Sequence, residues 1–356
     1  MPVRLLDAIS DAPAWQGLLR NLPEPARDIY FTPEWVALHA AKPGMEGKLF
    51  SFEAGGNLWA YPFVLLNLRR IGRRELTMPS RDIESAYGYG GPVSSTSDPA
   101  FLSEAWAGFT DWCRESGVVA EFARLHPLAS NEVYLDPVMD CTINRETVSI
   151  DLGRIREGDS PFGSRALYMV RRAERAGVQV VAIPPDAGIP AFQHLYERAM
   201  DRLSAAPEYY FGDTYFSRLA DLATKSGWLL VALQKDRWVA AAVFLRGPRW
   251  MHYHLAATDS DLRVPGVMNL LLYRAAHLGA REGILRLHLG GGATRSPQDP
   301  ILRFKTTMAT DTHCFRVAKR IHNVDAYDKL RSIWREEYPA LVDMYSEHLL
   351  CYYVTA

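Results

Sequence analysis

Two pairs of strand-length apolar stretches, each split by a short polar turn, stand out along the chain. The first pair covers residues 49–53 and 58–66 around the turn AGGN. The second pair covers residues 228–233 and 238–245 around QKDR. Strand-like segments that flank turn residues at this spacing predict two β-hairpins.

The same order of elements follows each hairpin. A further strand-like segment comes first, then an amphipathic helix over residues 101–116 or 269–281, a glycine, and an apolar strand over 118–125 or 284–289. Because the order is preserved in both halves, we predict a duplicated domain. Strands alternating with helices in this way indicate an α/β fold of two tandem domains, each a mixed sheet flanked by helices.

The pattern changes near residues 144–159, where a short strand gives way to a connection containing Gly, Ser and Pro. Beyond it the sequence predicts a basic helix over residues 167–176, the strand VQVVAI, and a helix from about residue 190 to 203. We predict two domains and a helical tail that could pack back on the first domain: residues 1–148, 149–320 and 321–356.

Composition narrows the function classes. The 356 residues carry 40 basic and 41 acidic side chains, a formal net charge of −1, so a global basic field for nucleic acid is excluded and any RNA contact must be local. The four cysteines lack CxxC spacing, and the first residues, MPVRLLDAISDAP, lack a signal-type apolar core. The longest apolar runs are too short to span a bilayer. We therefore expect a cytoplasmic protein without integral membrane contact.

The first candidate site is the segment DIESAYGYGGP, which contains Asp82, Tyr87 and Tyr89. Its glycines let a ligand approach the main chain, and its tyrosines offer flat, amphipathic contacts, so a substrate-lining role is predicted. A tight connection that needs positive φ angles explains the same residues equally well. The segment lacks the GxxxxGK[ST] pattern of a nucleotide phosphate site.

Histidines and an arginine mark two strands. In EFARLHP, Arg124 and His126 share a face by period-two alternation, which suits binding of a carboxylate or phosphate, or simply a polar strand end in solvent. His252 and His254 form an HxH pair without a third ligand at recognisable spacing. We therefore predict no metal, and a polar strand face on which His254 contacts substrate.

The loop TDSDLRVPGVM joins a predicted strand to a predicted helix. Its Arg263-x-x-Gly266-x-Met268 half-matches the [QR]xxGx[GA] loop with which GNAT enzymes hold the pyrophosphate of coenzyme A at a helix N-terminus. Met268 puts a long side chain where that pattern needs bare backbone. Arg263 and Gly266 are thus donor ligands if the donor is a coenzyme A thioester.

A strand ending in three glycines, HLGGG, precedes LRFK and leaves its backbone open around Gly291. Phe304 and Lys305 follow on the next segment. An ammonium group there can serve an ester or phosphate oxygen, although a single lysine is more often a solvated surface group.

The segment MDRLSAAPEYYF leads from the end of a predicted helix into an aromatic cluster. Arg202, Tyr209 and Tyr210 could hold a phosphate and stack on a sugar or peptide. The alternative is an aromatic anchor between helices.

Taken together, DIESAYGYGGP, FARLHP, RRAERAGV, MDRLSAAPEYYF and HLGGG with LRFK resemble the Fem-type aminoacyl transferases over nearly the whole chain. The resemblance implies two GNAT-like domains, an activated acyl donor that is usually aminoacyl-tRNA, and a primary-amine acceptor. It also implies that Lys305 supports phosphate binding of donor and acceptor, and that Arg202 with Tyr209 and Tyr210 contacts acceptor phosphate. His126 stands where some members have Asp, and no helical-arm insertion is present.

The expected reaction is attack of an amine of a cell-wall precursor or peptide metabolite on the ester carbonyl of aminoacyl-tRNA, with the oxyanion held by Lys305 or by backbone N–H groups. No cofactor beyond the co-substrate is expected. A coenzyme A-dependent N-acyltransferase and a non-catalytic binding relative are the alternatives.

Overall fold

A computed structural model describes residues 2–259 and 261–355. The chain forms two compact units. Unit 1 consists of Met1–Asn144 together with Phe315–Ala356, and unit 2 consists of Arg145–Cys314. Unit 1 is therefore assembled from the two ends of the chain, and its C-terminal part contains the region for which a helical tail is predicted.

The strands are as follows: β1 (Val3–Asp7), β2 (Met45–Ala54), β3 (Asn57–Ile71), β4 (Arg74–Glu84), β5 (Val93–Ser94), β6 (Val118–Arg124), β7 (Asp140–Asp151), β8 (Gln179–Ile183), β9 (Gly227–Gln234), β10 (Arg237–Arg246), β11 (Trp250–Thr258), β12 (Arg286–Gly290) and β13 (Asp311–Ile321). The α-helices are as follows: α1 (Ala12–Arg20), α2 (Pro33–His39), α3 (Pro99–Glu115), α4 (Leu152–Arg156), α5 (Ser164–Arg175), α6 (Pro185–Leu203), α7 (Asp213–Ser226), α8 (Val267–Arg281), α9 (Pro300–Thr306), α10 (Val324–Glu337) and α11 (Val342–Tyr345). Both predicted hairpins are present, as β2 with β3 and as β9 with β10.

The sheet of unit 1 runs in the order β1, β2, β3, β4, β6 and the last residues of β13. Its only parallel neighbours among these pairs are β4 and β6. Alternation places Phe50 and Trp59 on the face that α3 covers with Phe109. On the opposite face, Leu68 and Val119 belong to a cluster that α10 and the C-terminal residues bury.

The sheet of unit 2 runs in the order β7, β12, β11, β10, β9 and β8. Helices α4, α5 and α8 pack together on one face, and α6 and α7 pack against the other. Each unit is thus a mixed sheet with helices on both faces, which confirms the predicted fold class. Within the described residues, no helix is both long and apolar enough to cross a membrane.

Candidate functional site

Strands β11 and β12 of unit 2 are parallel neighbours that pair only over part of their length. The pairing joins residues 250–252 to residues 286–288. Strand β11 then continues to Thr258, whereas β12 ends at Gly290 and is followed by two more glycines. Where the pairing stops, backbone groups at the carboxyl ends of both strands become available to a ligand.

Lys305 lies beside this end of β12. Its Nζ donates a hydrogen bond to the carbonyl of Gly291 at 2.8 Å and is 5.7 Å from the centroid of the Tyr253 ring. Burial lowers the pKa of Lys305 to about 8, although the carboxylate of Asp299 opposes that shift. The ammonium is therefore charged at neutral pH and can still give up a proton near the working pH of an enzyme.

Asp299 fixes the glycine-rich loop and the start of α9. Its carboxylate accepts from Thr294 N at 2.8 Å and from Thr294 Oγ1 at 3.0 Å, and it caps the helix by accepting from Ile301 N at 2.9 Å. These hydrogen bonds, led by the one from Thr294 N, lower the pKa of Asp299 to about 2. The loop thus positions Lys305 through a carboxylate that remains ionised.

Two neighbours of Lys305 have packing explanations. A Cβ at Gly291 would come within 2.7 Å of the Glu146 carbonyl oxygen, so the glycine allows a close backbone approach within unit 2. Phe304 is partly buried against the hydrophobic core of the same unit. Of the three residues predicted here, Gly291, Phe304 and Lys305, only Lys305 brings a polar side chain to the end of β12.

A second feature of unit 2 is a pocket of about 370 Å³ where β11 leads into α8. Arg202, from the end of α6, and Arg263, from the loop before α8, both line it. Asp259 also lines it and forms an ion pair with Arg198 at 3.3 Å. Two guanidinium groups near a helix N-terminus suit an anionic ligand. The structure thereby brings together two arginines that are 61 positions apart in the sequence.

Gly266 and Met268 have defined positions at the start of α8. Gly266 is the N-cap, with φ of 85°, and an added Cβ would clash with the backbone carbonyl of Met169 in α5. Glycine is therefore required here by the packing of two helices. Met268 packs against the hydrophobic core of unit 2. The half-match to the coenzyme A loop thus also has a structural explanation.

The aromatic residues after α6 and the histidines of β11 form local contacts. Tyr210 donates to Asp201 at 2.9 Å, and the Tyr209 carbonyl accepts from the hydroxyl of Tyr196 at 3.1 Å. His254 Nε2 lies 2.7 Å from the Tyr215 hydroxyl. Burial, together with the neighbouring His252, lowers the pKa of His254 to about 3, so this imidazole is neutral.

In unit 1, Asp82 is fully buried and faces the C-terminal segment. Its carboxylate accepts from Ala120 N at 2.9 Å, from the Tyr352 hydroxyl at 2.8 Å and from the Tyr353 hydroxyl at 2.9 Å. Burial raises the pKa of Asp82 to about 6. This geometry gives Asp82 a structural role, with its oxygens occupied by protein donors.

The tyrosines of the glycine-rich loop in unit 1 differ in exposure. Tyr89 is buried, with its ring 5.1 Å from that of Tyr30 and 5.2 Å from that of Phe315. Tyr87 is 46% exposed, and its ring lies 5.7 Å from that of His39. Tyr87 is the one of the two that presents surface to a ligand.

Arg124 and His126 are both held by protein groups. Arg124 donates to the Ser85 carbonyl at 2.8 Å and to Glu84 Oε2 at 3.2 Å. His126 is buried, its Nδ1 accepts from two backbone N–H groups at 3.1 Å, and its Nε2 lies 3.3 Å from Asp28 Oδ1. An Nδ1 that accepts hydrogen bonds leaves the ring proton on Nε2, the ring nitrogen that lies 3.3 Å from Asp28 Oδ1.

Three organising residues of unit 1 have no signal in the sequence pattern. Asn131 donates to the carbonyls of Gly90 at 2.8 Å and Pro92 at 3.0 Å, which fixes the glycine-rich loop. Glu121 and His322 form a buried pair at 2.9 Å. An amide or an ionisable side chain in an ordinary strand or turn gives no local indication that a distant partner exists.

Comparison with known proteins agrees with this architecture. Residues 164–305 match the family model described as "Acetyltransferase (GNAT) domain". No functionally curated protein has a sequence match to this chain.

Several solved structures share the fold at low sequence identity. FemX superposes with a TM-score of 0.65 at 10% identity, covering 92% of this chain and 99% of FemX. The C-terminal domain of a putative lysylphosphatidylglycerol synthetase from Agrobacterium fabrum gives 0.56 at 14% identity, covering 94% and 96%. L-PGS from Bacillus licheniformis gives 0.55 at 12% identity, covering 81% and 86%.

The chain thus has an acyltransferase fold of the GNAT type. More particularly, it shares the fold of FemX over nearly its whole length, and the matched GNAT domain lies in unit 2. The resemblance inferred from the sequence motifs is confirmed at the level of the fold.

Proposed function

We propose that the protein is an amide-forming acyltransferase that moves an aminoacyl group from aminoacyl-tRNA to a primary amine of a cell-wall precursor or peptide metabolite. The observation that carries this proposal is the position of Lys305, a half-buried ammonium next to the end of β12 where pairing with β11 has stopped. The fold shared with FemX supports the choice of donor and acceptor class. Use of charged tRNA places the reaction in the cytoplasm.

In the proposed reaction, the acceptor amine attacks the ester carbonyl of the donor. A C–N bond forms, the C–O bond to ribose breaks, and the proton lost by the amine ends on the departing ribose hydroxyl. The Lys305 ammonium donates a hydrogen bond to the oxyanion that develops on the carbonyl oxygen. A hydrogen-bond donor that is held in position before the reaction begins lowers the activation barrier, because it needs little reorganisation in the transition state.

The pocket at the start of α8 is the proposed anion site of the donor or acceptor. Arg202 and Arg263 supply its positive charge from two separate elements. The chain has no global basic field, so the proposed contact with the tRNA acceptor end is local and sensitive to salt.

A coenzyme A-dependent N-acyltransferase is the second candidate, because the matched family model describes an acetyltransferase domain and the pocket lies before α8. In that reaction Arg263 contacts the pyrophosphate. The third candidate is a binding protein without catalytic activity, for which no acyl transfer from any donor is expected.

The test is donor consumption. The protein is incubated with candidate amines and either a pool of charged tRNA or a set of acyl-coenzyme A thioesters, and the loss of each donor is measured. Deacylation of tRNA that depends on the amine, and that disappears in Arg263→Ala at unchanged stability, supports the first candidate. Consumption of thioesters alone supports the second, and no consumption of either supports the third.

A further inference from the structure

A larger groove in unit 2 uses none of the residues assigned to the proposed reaction. It has a volume of about 610 Å³. Its floor is formed by Val180 and Ala182 of β8 with Leu230 of β9, and its walls are the C-terminal half of α8 and α4. Strand β8 ends the sheet of this unit, so the groove opens at a sheet edge.

The floor and part of the walls of the groove are apolar, although its lining as a whole carries nearly as much polar as apolar surface. Besides the floor, Ile155 and Leu278 supply aliphatic surface and Tyr273 an aromatic ring. Apolar concavities of roughly 300–1,000 Å³ are the size of sites that bury most of a small ligand. The groove therefore has the size and the aliphatic floor to take a hydrocarbon chain.

The rim is positively charged. Among the described residues, those that line the groove include three arginines and no carboxylate. Arg156 donates to the carbonyl of Ile284 at 2.6 Å, and Arg274 forms an ion pair with Glu174 at 3.0 Å. Arg281 has no carboxylate within ion-pair distance among the residues that the structure describes. Burial, Arg274 and Arg281 together lower the pKa of His277, as expected where positive charge dominates.

An apolar chain in the groove and an anion at Arg281 define an amphiphile. We propose that this groove binds one single-chain anionic amphiphile, a long-chain fatty acid, with its chain over Ala182 and Leu230 and its carboxylate at Arg281. A second strand added at β8 would use backbone groups and would have no need for the arginines. The charge on the rim thus favours the acid over a peptide.

The test is equilibrium binding of a fluorescent polyunsaturated fatty acid to the full-length protein below its micelle concentration. Wild type is expected to bind saturably with one site per chain. Ala182→Trp, which fills the groove from an exposed position, should weaken binding by about tenfold or more. The matched control is Val181→Trp, because the neighbouring residue of a strand points to the opposite face, and it should leave binding unchanged.

A second arm tests the head group. Arg281→Glu should weaken binding of the acid by about tenfold and leave binding of the alcohol of equal chain length within about twofold. Absence of saturable binding by wild type, equal binding by Ala182→Trp and Val181→Trp, or binding only to anionic vesicles would each overturn the proposal. Circular dichroism of every variant separates lost binding from lost fold.

Discussion

Single buried charges in this protein differ in what surrounds them. Among the described residues, the Lys305 ammonium has one hydrogen-bond acceptor, the Gly291 carbonyl, and the loop beside it is held in place by Asp299. Asp82 has three donors around its carboxylate, two of them from the C-terminal segment. An ammonium group has three N–H donors, so Lys305 retains donor capacity for a ligand, whereas the hydrogen bonds to Asp82 serve the fold.

Removal of Lys305 should affect turnover and spare the fold. Lys305→Ala is expected to lower acyl transfer by about 10²-fold or more, because one oxyanion contact supplies a few kcal/mol of transition-state stabilisation. The matched control is Lys329→Ala on the exposed side of α10. Steady-state rates and urea unfolding of both variants provide the measurement, and wild-type turnover in Lys305→Ala would remove this residue from the mechanism.

The protonation state of Lys305 gives a pH test. The pKa is lowered to about 8, so the ammonium is present below that pH and is lost as pH rises through it. A reaction that needs the charged form should slow above pH 8. Lys305→Arg keeps its charge to much higher pH, so any residual activity should lack this decline. If the wild-type rate shows no decline above pH 8 and follows the same pH profile as Lys305→Arg, the ammonium does not have this role.

Asp82 should make folding stability depend on pH. Its folded-state pKa of about 6 lies above the ordinary value of 3.8, so the folded protein binds more protons between these values. Protonation of Asp82 therefore adds to the free energy of unfolding below about pH 4. This stabilisation, up to about 3 kcal/mol, is lost as the pH rises to 6. Asp82→Asn should remove that slope, whereas Asp221→Asn on α7 should keep it. Urea unfolding from pH 4 to 7 is the measurement, and parallel curves for wild type and Asp82→Asn would disprove it.

At the scale of the elements, packing between α5 and α8 determines where the loop before α8 lies, and this loop lines the pocket of Arg202 and Arg263. The two helices contact each other, and the N-cap of α8 lies against the backbone of α5 at Met169. The position of Arg263 relative to the helix N-terminus therefore depends on how closely α5 approaches.

Gly266→Ala tests this packing. Both Gly266 and Gly283 have positive φ, at 85° and 79°, but only Gly266 has an atom within 4 Å of an added Cβ. Gly283→Ala should cost about 1–2 kcal/mol of unfolding free energy from backbone strain alone. Gly266→Ala should cost at least about 1 kcal/mol more, because two backbones must separate. Equal costs in urea unfolding would show that the helices are not in close contact.

Sequence patterns predict the hairpins and the helices α3, α5, α6 and α8 because period-two and helical alternation are local signals, whereas α1, α2 and α7 are not predicted. The strand pairs β2–β3 and β9–β10 and helix α3 lie close to their predicted positions. The partners of Asp82 could not be predicted, because Tyr352 is 270 positions away and no local spacing connects them. The division between units 1 and 2 falls inside β7 and β13, where no turn residue marks it.

Local contacts of the candidate site could be predicted from the sequence, whereas contacts between distant segments could not. The glycines of HLGGG and Lys305 are close in sequence, so their contact could be anticipated from local order. The pocket shared by Arg202 and Arg263 requires the ends of α6 and β11 to meet, which only tertiary structure determines. Gly266 follows a ligand-loop pattern in the sequence, while the structure explains it by helix packing.

At the scale of the whole molecule, the two units differ in how the chain builds them. Unit 2 is one continuous segment, Arg145–Cys314, with its own hydrophobic core. Unit 1 needs both chain ends, because Trp334 and Tyr352 of the C-terminal part complete a core cluster with Leu68 and Val119. Residues 1–144 alone would leave that face of their sheet in water.

Fragments should therefore fold unequally. A polypeptide of residues 145–314 is expected to unfold cooperatively on its own, since its core is contained within one segment. Residues 1–144 alone should show weak, non-cooperative unfolding, because several buried aromatic and aliphatic side chains lose their partners, each worth roughly 1.5–3 kcal/mol. Joining residues 315–356 to residue 144 through a flexible linker should restore the cooperative transition, and a linked segment with Trp334→Ala and Tyr352→Ala should restore it less. Cooperative unfolding of 1–144 without the C-terminal residues would show that the first unit does not depend on the end of the chain.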